Sequence, residues 1–487
     1  MLKFLKKEVN STYTLNGAVT NRSTKSECLD LFYYIGALRN AGADKIKNLF
    51  LRAYTEDPDA AMKILFYARD IRGGLGERKV FRICMNQLAK LHPESVLKNL
   101  NNVAEFGRYD DLFALLDTPC EEQVMKLISN QLSRDIEEMN KNETSISLLV
   151  KWMPSINASS AETIGYAKKF ARYMKITDSQ YRKTLAKLRN YIDILENHLR
   201  ERDYTFSYES QPSKAMFKYK KAFIRNDEER YTEYLSKVEK GEAVLHTGTL
   251  YPYDIIREAL KENITFKEAS TLNITWNNLS DIENNQNAIA VIDGSGSMYW
   301  GNGTPKPFEA ALSLGIYFAE RNKGPFANHF ITFSKQPQLV KIKGKDIVSK
   351  ARYVSSFNEV ANTDIEAVFQ LILQTAVKNR LPQSELPDTI YIISDMEFDQ
   401  CAENGSLSNY ENARIMFEKK GYRLPNVVFW NVNCLTKQVP VKMHDTGTAL
   451  VSGATPKIFE MIQSGEIDPM KIMLDKINEE RYSVITA

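Results

Sequence analysis

Cysteine is scarce in this chain and badly placed for covalent cross-linking. The five cysteines, Cys28, Cys84, Cys120, Cys401 and Cys434, are odd in number, far apart and never spaced as CxxC. That pattern excludes a disulfide framework and a thiolate zinc site, and it implies reduced, buried thiols in a cytoplasmic protein. Histidine is equally rare: His92, His198, His246, His329 and His444 make no metal-ligand pair. His444 and Asp445 would need a serine positioned as a nucleophile to complete a triad, and the sequence places none. A dominant charge is missing too. With a formal net charge of +3, no global field draws the chain to nucleic acid or an acidic membrane, which leaves only local patches. The absence of any run of about eighteen apolar residues excludes a membrane-spanning helix. Met1 to Asn10 alternates lysine with short apolar stretches and lacks a signal-peptide core. Strand patterns are nearly absent before residue 285.

What is present is a composition of 43% hydrophobic and 26% charged residues over 487 positions, which fits a soluble globular protein of two or more domains. The first half reads as helix after helix. Leu29, Phe32, Tyr33, Gly36 and Ala37 recur at helical spacing between Ser26 and Asn40, so they share one face. Asp57-Pro58 pairs an N-cap with a proline at the first helical position. Ser159 and Glu162 form a capping box ahead of Ile164 to Met174. Further helices are predicted over Gln180 to Arg200, Lys214 to Arg225 and Glu228 to Lys240. Short connections between amphipathic segments suggest stacked helical hairpins or an α-solenoid, although no fixed period emerges.

Asparagines crowd together from Asn273 to Asn287, a polar stretch that resists helix and strand and reads as a domain boundary. The rhythm then becomes β-α-β. Ala288 to Ile292 is a short apolar run suited to a strand buried on both faces. Helices are predicted over Phe308 to Arg321, Asp364 to Arg380, Asn412 to Lys420 and Pro456 to Ile462. Strands are predicted over His329 to Phe333, Gln338 to Ile342, Thr389 to Ile393, Val427 to Val432 and Ala449 to Val451. The expected layout is α + α/β: a helical-repeat domain over residues 1–270, an Asn-rich linker over 271–287, and a doubly wound α/β domain over 288–487. The last helix, near Asp468 to Arg481, is expected to fold back on the helical half.

The first buried strand runs into Asp293-Gly294-Ser295-Gly296-Ser297. In an open parallel sheet, ligands bind beyond the carboxyl ends of strands where the strand order reverses. The D-x-S-x-S spacing lets a glycine-rich turn aim one carboxylate and two hydroxyls at a common point. Thr363, at a helix start, and Asp395, at the end of the strand Tyr391-Ile392-Ile393, add oxygen donors from two other loops. All-oxygen surroundings of this kind suit a hard divalent cation, Mg²⁺ or Mn²⁺.

Asp293-x-Ser295-x-Ser297, followed by Thr363 and Asp395, resembles the metal-ion-dependent adhesion site of von Willebrand A domains over residues 286–465. The resemblance implies that Ser295 and Ser297 ligate directly and that Asp293, Thr363 and Asp395 do so directly or through water. One position then stays open for a partner's carboxylate. Ala68 to Arg78, Gly107 to Leu112, Lys151 to Ser155, Tyr181 to Lys183 and Ser394 to Asp399 are similar to signatures of the domain-of-unknown-function 2828 family, from about residue 15 to the C-terminus. Helical repeats of a HEAT-like kind followed by an A-type domain also resemble the Ro autoantigen (TROVE) proteins, in which a ring of helical repeats binds RNA. This last likeness implies an RNA partner by analogy of layout alone.

Between Gly165 and Arg225 stand fifteen Lys/Arg against six Asp/Glu, interleaved with aromatics such as Phe170, Tyr173, Tyr181, Tyr191, Phe217 and Tyr219. Basic groups neutralise phosphates and rings stack on unpaired bases. The candidate RNA contacts are Arg182, Lys183, Lys214, Lys218, Lys220, Lys221 and Arg225. The competing reading is a solvated basic face over a packed helix pair. Arg72-Gly73-Gly74-Leu75-Gly76-Glu77-Arg78-Lys79 lacks the phosphate-loop spacing and follows no strand, so it reads as a helix–turn–helix connection with Arg72 and Arg78 facing a ligand. The sequence therefore predicts a non-enzymatic, cytoplasmic binding scaffold. Its expected partner is RNA or, alternatively, an acidic protein ligand gripped at the metal.

Overall fold

The computed structural model describes residues 9–141, 146–281, 287–301, 303–357, 363–400, 407–462 and 467–487. Met1 to Glu8, Asn284, Asn285, Asn362 and Cys401, on which some of the sequence readings rest, lie outside the described residues. In the N-terminal half, polar caps and apolar stripes make helices. The longer ones are α1 (Glu27–Ile35), α2 (Ala43–Glu56), α3 (Pro58–Arg69), α4 (Arg78–Leu91), α5 (Glu121–Asn140), α6 (Ala161–Tyr173), α7 (Asp178–Tyr191), α8 (Leu195–Glu201), α9 (Ser213–Asn226), α10 (Glu228–Glu239), α11 (Pro252–Ala259) and α12 (Phe266–Asn277). The Asp57 carboxylate accepts the Ala60 N–H at 3.0 Å to open α3, as the sequence predicts. The cap of α6 sits one residue later than predicted: Ser160 accepts from Thr163 N–H at 3.3 Å, and Glu162 receives the Tyr166 hydroxyl instead.

Three other expectations are corrected. The helix predicted over Gln180 to Arg200 breaks into α7 and α8, because Asn197 donates its amide to the carbonyls of Arg189 and Ile192 at 2.7 and 2.9 Å and so satisfies a helix end. The Asn-rich boundary begins inside α12. Buried Leu272, Ile274 and Trp276 hold that segment helical in spite of Asn273 and Asn277. The third correction is a strand pair near the N-terminus, β1 (Ser11–Tyr13) with β2 (Val19–Asn21), antiparallel and too short to show a period.

The C-terminal half holds a six-stranded sheet in the order β5-β4-β3-β6-β7-β8. These strands are β3 (Ala288–Ile292), β4 (His329–Thr332), β5 (Leu339–Lys341), β6 (Thr389–Ser394), β7 (Asn426–Asn431) and β8 (Thr448–Ser452). Only the edge strand β5 runs antiparallel. Between them come α13 (Pro307–Arg321), α14 (Ile347–Ser355), α15 (Ile365–Asn379) and α16 (Asn409–Lys419), and after β8 comes α17 (Pro469–Ile477). From β3 the chain crosses to β4 on one side, and from β6 it crosses to β7 on the other. The strand order therefore reverses between β3 and β6, where open α/β sheets bind ligands.

The two halves share one hydrophobic core. The Tyr34 hydroxyl donates to Gln438 O at 2.9 Å, and Trp276 Nε1 donates to Glu320 at 2.6 Å. After α17, Arg481 and the Tyr482 hydroxyl both reach Asp70, so the C-terminus does return to the helical half. Gly36 lies against the end of β8. A Cβ there would stand 2.5 Å from Ser452 O and 2.7 Å from Gly453 N, both backbone atoms. Gly36→Ala must push the halves apart, and a loss of about 1–3 kcal/mol is expected in urea denaturation; an unchanged midpoint would mean this seam yields freely.

Candidate metal centre and cationic cluster

β3 and β6 pair in parallel with Ile292 opposite Ile393, which sets the residues that follow each strand side by side. Asp293 N–H donates to Ile393 O at 3.2 Å, and Asp293 is fully buried. One of its carboxylate oxygens accepts the Ser295 N–H at 2.8 Å, and the other accepts the Ser394 hydroxyl at 2.5 Å. The Ser295 and Ser297 hydroxyls are 3.2 Å apart. Asp395 accepts the Glu397 N–H at 3.2 Å through one oxygen, while its Oδ2 is buried with no hydrogen-bond partner. Two carboxylates and two hydroxyls therefore share one small volume. Burial, and then the charge of Asp293, pushes the Asp395 carboxyl up to about 7, although the Ser297 hydroxyl and the Glu397 N–H favour its charged form. Burial also raises Asp293, against the hydrogen bonds from Ser394 and Ser295, and the charge of Asp399 raises it further.

Thr363 is nearly inaccessible and precedes α15, which Asp364 caps through Ala367 N–H. Its hydroxyl lies 2.7 Å from Glu397 O and 3.0 Å from Asp399 Oδ1. The loop after β6 thus carries both Asp395 and the anchors of Thr363, and Asp399 is close enough to Asp293 to act on its charge. Ser394, Glu397 and Asp399 were missed as site residues. Their signal was the run Ser394 to Asp399, read only as a family signature. No three Asp, Glu, His or Cys side chains gather as a metal cluster among the described residues, and the donor set here mixes two carboxylates with hydroxyls. An unpartnered buried carboxylate oxygen near the Ser295 and Ser297 hydroxyls fits a hard cation, because such an atom otherwise carries an uncompensated desolvation penalty.

The candidate RNA contacts divide in two. Lys214 pairs with Asp254, Lys221 pairs with Glu268 at 2.6 Å, and buried Lys220 lies 3.7 Å from Glu258 and over the Phe217 ring. These three lysines of α9 therefore serve α11 and α12 as counter-ions. Lys218 donates to the Tyr219 hydroxyl at 2.8 Å, and Arg225 makes a long contact of 3.4 Å to Asn226. Arg182 and Lys183 are exposed on α7, opposite buried Tyr181, Leu185 and Leu188.

A different cationic cluster forms where three of the sequence motifs meet. Asp111, fully buried, receives Arg69 at 2.7 Å, Arg82 at 2.6 Å and the Arg108 N–H at 2.9 Å. Asp110 takes Arg108 through two bonds of 2.8 and 2.6 Å, and Arg82 at 2.7 Å. The Arg108 guanidinium stacks 3.9 Å above the Trp152 ring. Arg78 stands beside this group with no ion-pair partner among the described residues. Partial burial, and then the charges of Arg108 and Arg82, presses its pKa below the ordinary guanidinium value. Four arginines thus surround two aspartates, beside an indole. Of these residues the sequence reads Arg78 alone as facing a ligand; Arg69, Arg108, Asp110, Asp111 and Trp152 stand in the family-like motifs.

A helical array that shares its core with a parallel-rich α/β domain, with buried oxygen donors gathered at the strand switch, is the class of protein defined here. The chain belongs to the family described as Domain of unknown function (DUF2828), which it matches over residues 14–126 and 157–293. Residues 287–483 match a second description, Domain of unknown function (DUF7788). The first family was expected to run to the C-terminus. Its match stops at β3, and Lys151 to Ser155 fall between its two segments. An uncharacterized protein of Acanthamoeba polyphaga mimivirus is 30% identical over 96% of this chain and 87% of its own length. Among solved structures, the crystal structure of the Deinococcus radiodurans Ro (RSR) protein aligns with 90% of this chain and 99% of that one, at 13% identity and a TM-score of 0.39. No helix among the described residues is long and apolar enough to cross a membrane.

Proposed function

We propose that the chain is a non-enzymatic binding scaffold whose α/β domain holds one hard divalent cation, Mg²⁺ or Mn²⁺, in the manner of an A-type adhesion site. Asp293, Ser295, Ser297, Thr363 and Asp395 would hold it, and the ion would supply a Lewis-acidic position for an oxygen ligand. The observation that carries this reading is the pair of buried carboxylates at adjacent strand ends, with Asp395 Oδ2 unpartnered. Exposed Tyr299 and Trp300 follow Ser297 and give an acidic protein ligand an apolar flank to rest on. The test is Mn²⁺ titration of the full chain by calorimetry. Saturable binding to the wild type and none to Asp293→Ala is expected; equal binding to both, or to neither, sinks the reading.

A second reading, RNA binding by the helical half, rests on Arg78, Arg82, Arg108 and Trp152. Guanidinium groups grip phosphate, and an indole that already carries a stacked arginine offers a platform for an unpaired base. Cross-linking in cells followed by RNA recovery tests it directly, and recovery no better than background would dispose of it. In solution, Arg78→Ala is expected to weaken a labelled single-stranded RNA and to reduce the salt slope of its binding by about one. RNA binding should survive a chelator, whereas a protein held through the metal should be released.

A further inference from the structure

The β1–β2 hairpin poses a question that neither reading answers. A lone two-stranded hairpin is marginal in water, and this one joins neither the sheet nor the helical array. Its larger apolar side chains do little to anchor it, since Tyr13 and Leu15 are 66% and 58% exposed, and the small Ala18 is its contribution to the core. Polar contacts hold it at two points. Near its base, Asn21 exchanges backbone hydrogen bonds with Val439 at 3.1 and 2.8 Å. At its tip, the turn from Thr14 to Gly17 lies on the loop that follows β6. The Thr14 hydroxyl donates to Phe398 O at 2.6 Å, and the Leu15 N–H donates to Glu397 Oε2 at 2.7 Å. Gly17 bridges to Asp399. The Asn16 amide donates both to Glu397 O and to the Thr363 hydroxyl, at 2.7 Å each.

We infer that Asn16 is a positioning residue of the metal centre, and that cation binding and docking of the N-terminal hairpin reinforce each other. This rests on the cation reading above. A carbonyl oxygen only accepts, so the Asn16 atom beside Glu397 O is its NH₂ group, and the same group must donate to Thr363 Oγ1. The Thr363 proton is then committed to Glu397 O or Asp399. One donated and one accepted bond leave the hydroxyl a single free lone pair for an ion. Without Asn16 the hydroxyl keeps its proton partners but loses the contact that fixes the second lone pair.

Glu397 strengthens the link. Its buried carboxylate has no Lys or Arg partner among the described residues and depends on the Leu15 N–H at one oxygen and on Thr436 at the other. If the hairpin leaves, a third under-compensated carboxylate remains two residues from Asp395. The run Ser394 to Asp399 therefore serves two faces. Ser394 and Asp395 build the cation site, while Glu397, Phe398 and Asp399 receive the hairpin and Thr363. Met396, at φ 66 and fully buried, turns the chain between them.

The test uses the full chain, with Mn²⁺ as the probe. Backbone hydrogen exchange over residues 11–21 is expected to slow when Mn²⁺ is added to the wild type, and not when it is added to Asp293→Ala. Asn16→Ala should bind Mn²⁺ about 10-fold more weakly, as removal of ligand-orienting partners does, while Tyr13→Ser binds as the wild type. If Mn²⁺ binds through Asp293 but leaves hairpin exchange unaltered and Asn16→Ala unweakened, the coupling is wrong and the cation site stands. If the wild type binds no Mn²⁺, both fall. Should Asn16→Ala fail to fold, wild-type exchange with and without Mn²⁺ decides the matter alone.

Discussion

Asp395→Asn is expected to melt at a higher temperature than the wild type when both are free of metal, and to lose the further rise that Mn²⁺ gives the wild type. Asp293 and Asp395 are 0% and 2% exposed, follow paired strands, and lack a Lys or Arg partner among the described residues. Two like charges in a poorly solvated site repel each other, and each also bears the cost of leaving water. Asparagine keeps the shape and still accepts the Glu397 N–H, but it removes the charge. A carboxyl pushed up to about 7 on folding holds its proton more tightly in the folded chain than in the unfolded one. Its contribution to stability therefore falls as pH rises from about 4 towards 7. The advantage of Asp395→Asn over the metal-free wild type should accordingly widen from pH 5 to pH 7.5. Saturating Mn²⁺ narrows the gap, since ligand at a hundred times its Kd adds about 2.7 kcal/mol to a protein that binds it only when folded. Differential scanning calorimetry at the two pH values, with and without Mn²⁺, reads all four arms. A metal-free variant that melts below the wild type at both pH values contradicts the argument.

The parts of this molecule that were legible in its sequence are those in which one local pattern decides the structure. Ala288 to Ile292 is apolar throughout because both faces of β3 are covered, and that run alone places the glycine-rich turn after it at a strand end. Asp395 was found by the same logic from β6. Legibility failed where distant segments decide. The Asn-rich stretch was read as a linker, yet packing of Trp276 and Leu272 overrides the propensity of Asn273 and Asn277. Asn16 carries no periodicity and no motif, and its place beside Thr363 depends on a chain separation of 347 residues. The basic count between Gly165 and Arg225 was a correct observation, but composition does not show that Lys214, Lys220 and Lys221 face Asp254, Glu258 and Glu268 across a helix interface. The arginines left to meet a ligand are those whose partners lie in other motifs.

Asp111 and Asp110 are neighbours in sequence, and their removal is expected to have opposite consequences. Asp111 is fully buried and bonded to Arg69, itself 2% exposed, as well as to Arg82 and the Arg108 backbone. Asp111→Ala leaves the Arg69 guanidinium buried and uncompensated, a situation that costs about 3–5 kcal/mol because the charge cannot regain its water. A large fall in the urea midpoint is expected, and a fall below about 1 kcal/mol would show that Arg69 escapes to solvent. Asp110 is 16% exposed, and its partners Arg82 and Arg108 are 29% and 27% exposed. Water can replace it, so Asp110→Ala should cost far less, within about 1 kcal/mol. It also raises the local charge by one unit beside Arg78 and frees the Arg108 fork that its carboxylate now occupies. If the cluster holds phosphate, Asp110→Ala should bind single-stranded RNA more tightly than the wild type at low salt, with a steeper salt dependence. If the four arginines serve only to pack α3, α4 and the Gly107–Leu112 turn, the variant loses a little stability and RNA affinity does not move. Titrating labelled RNA against the wild type and Asp110→Ala at two salt concentrations separates these outcomes, because a purely structural ion-pair network predicts no gain of affinity on losing one of its members.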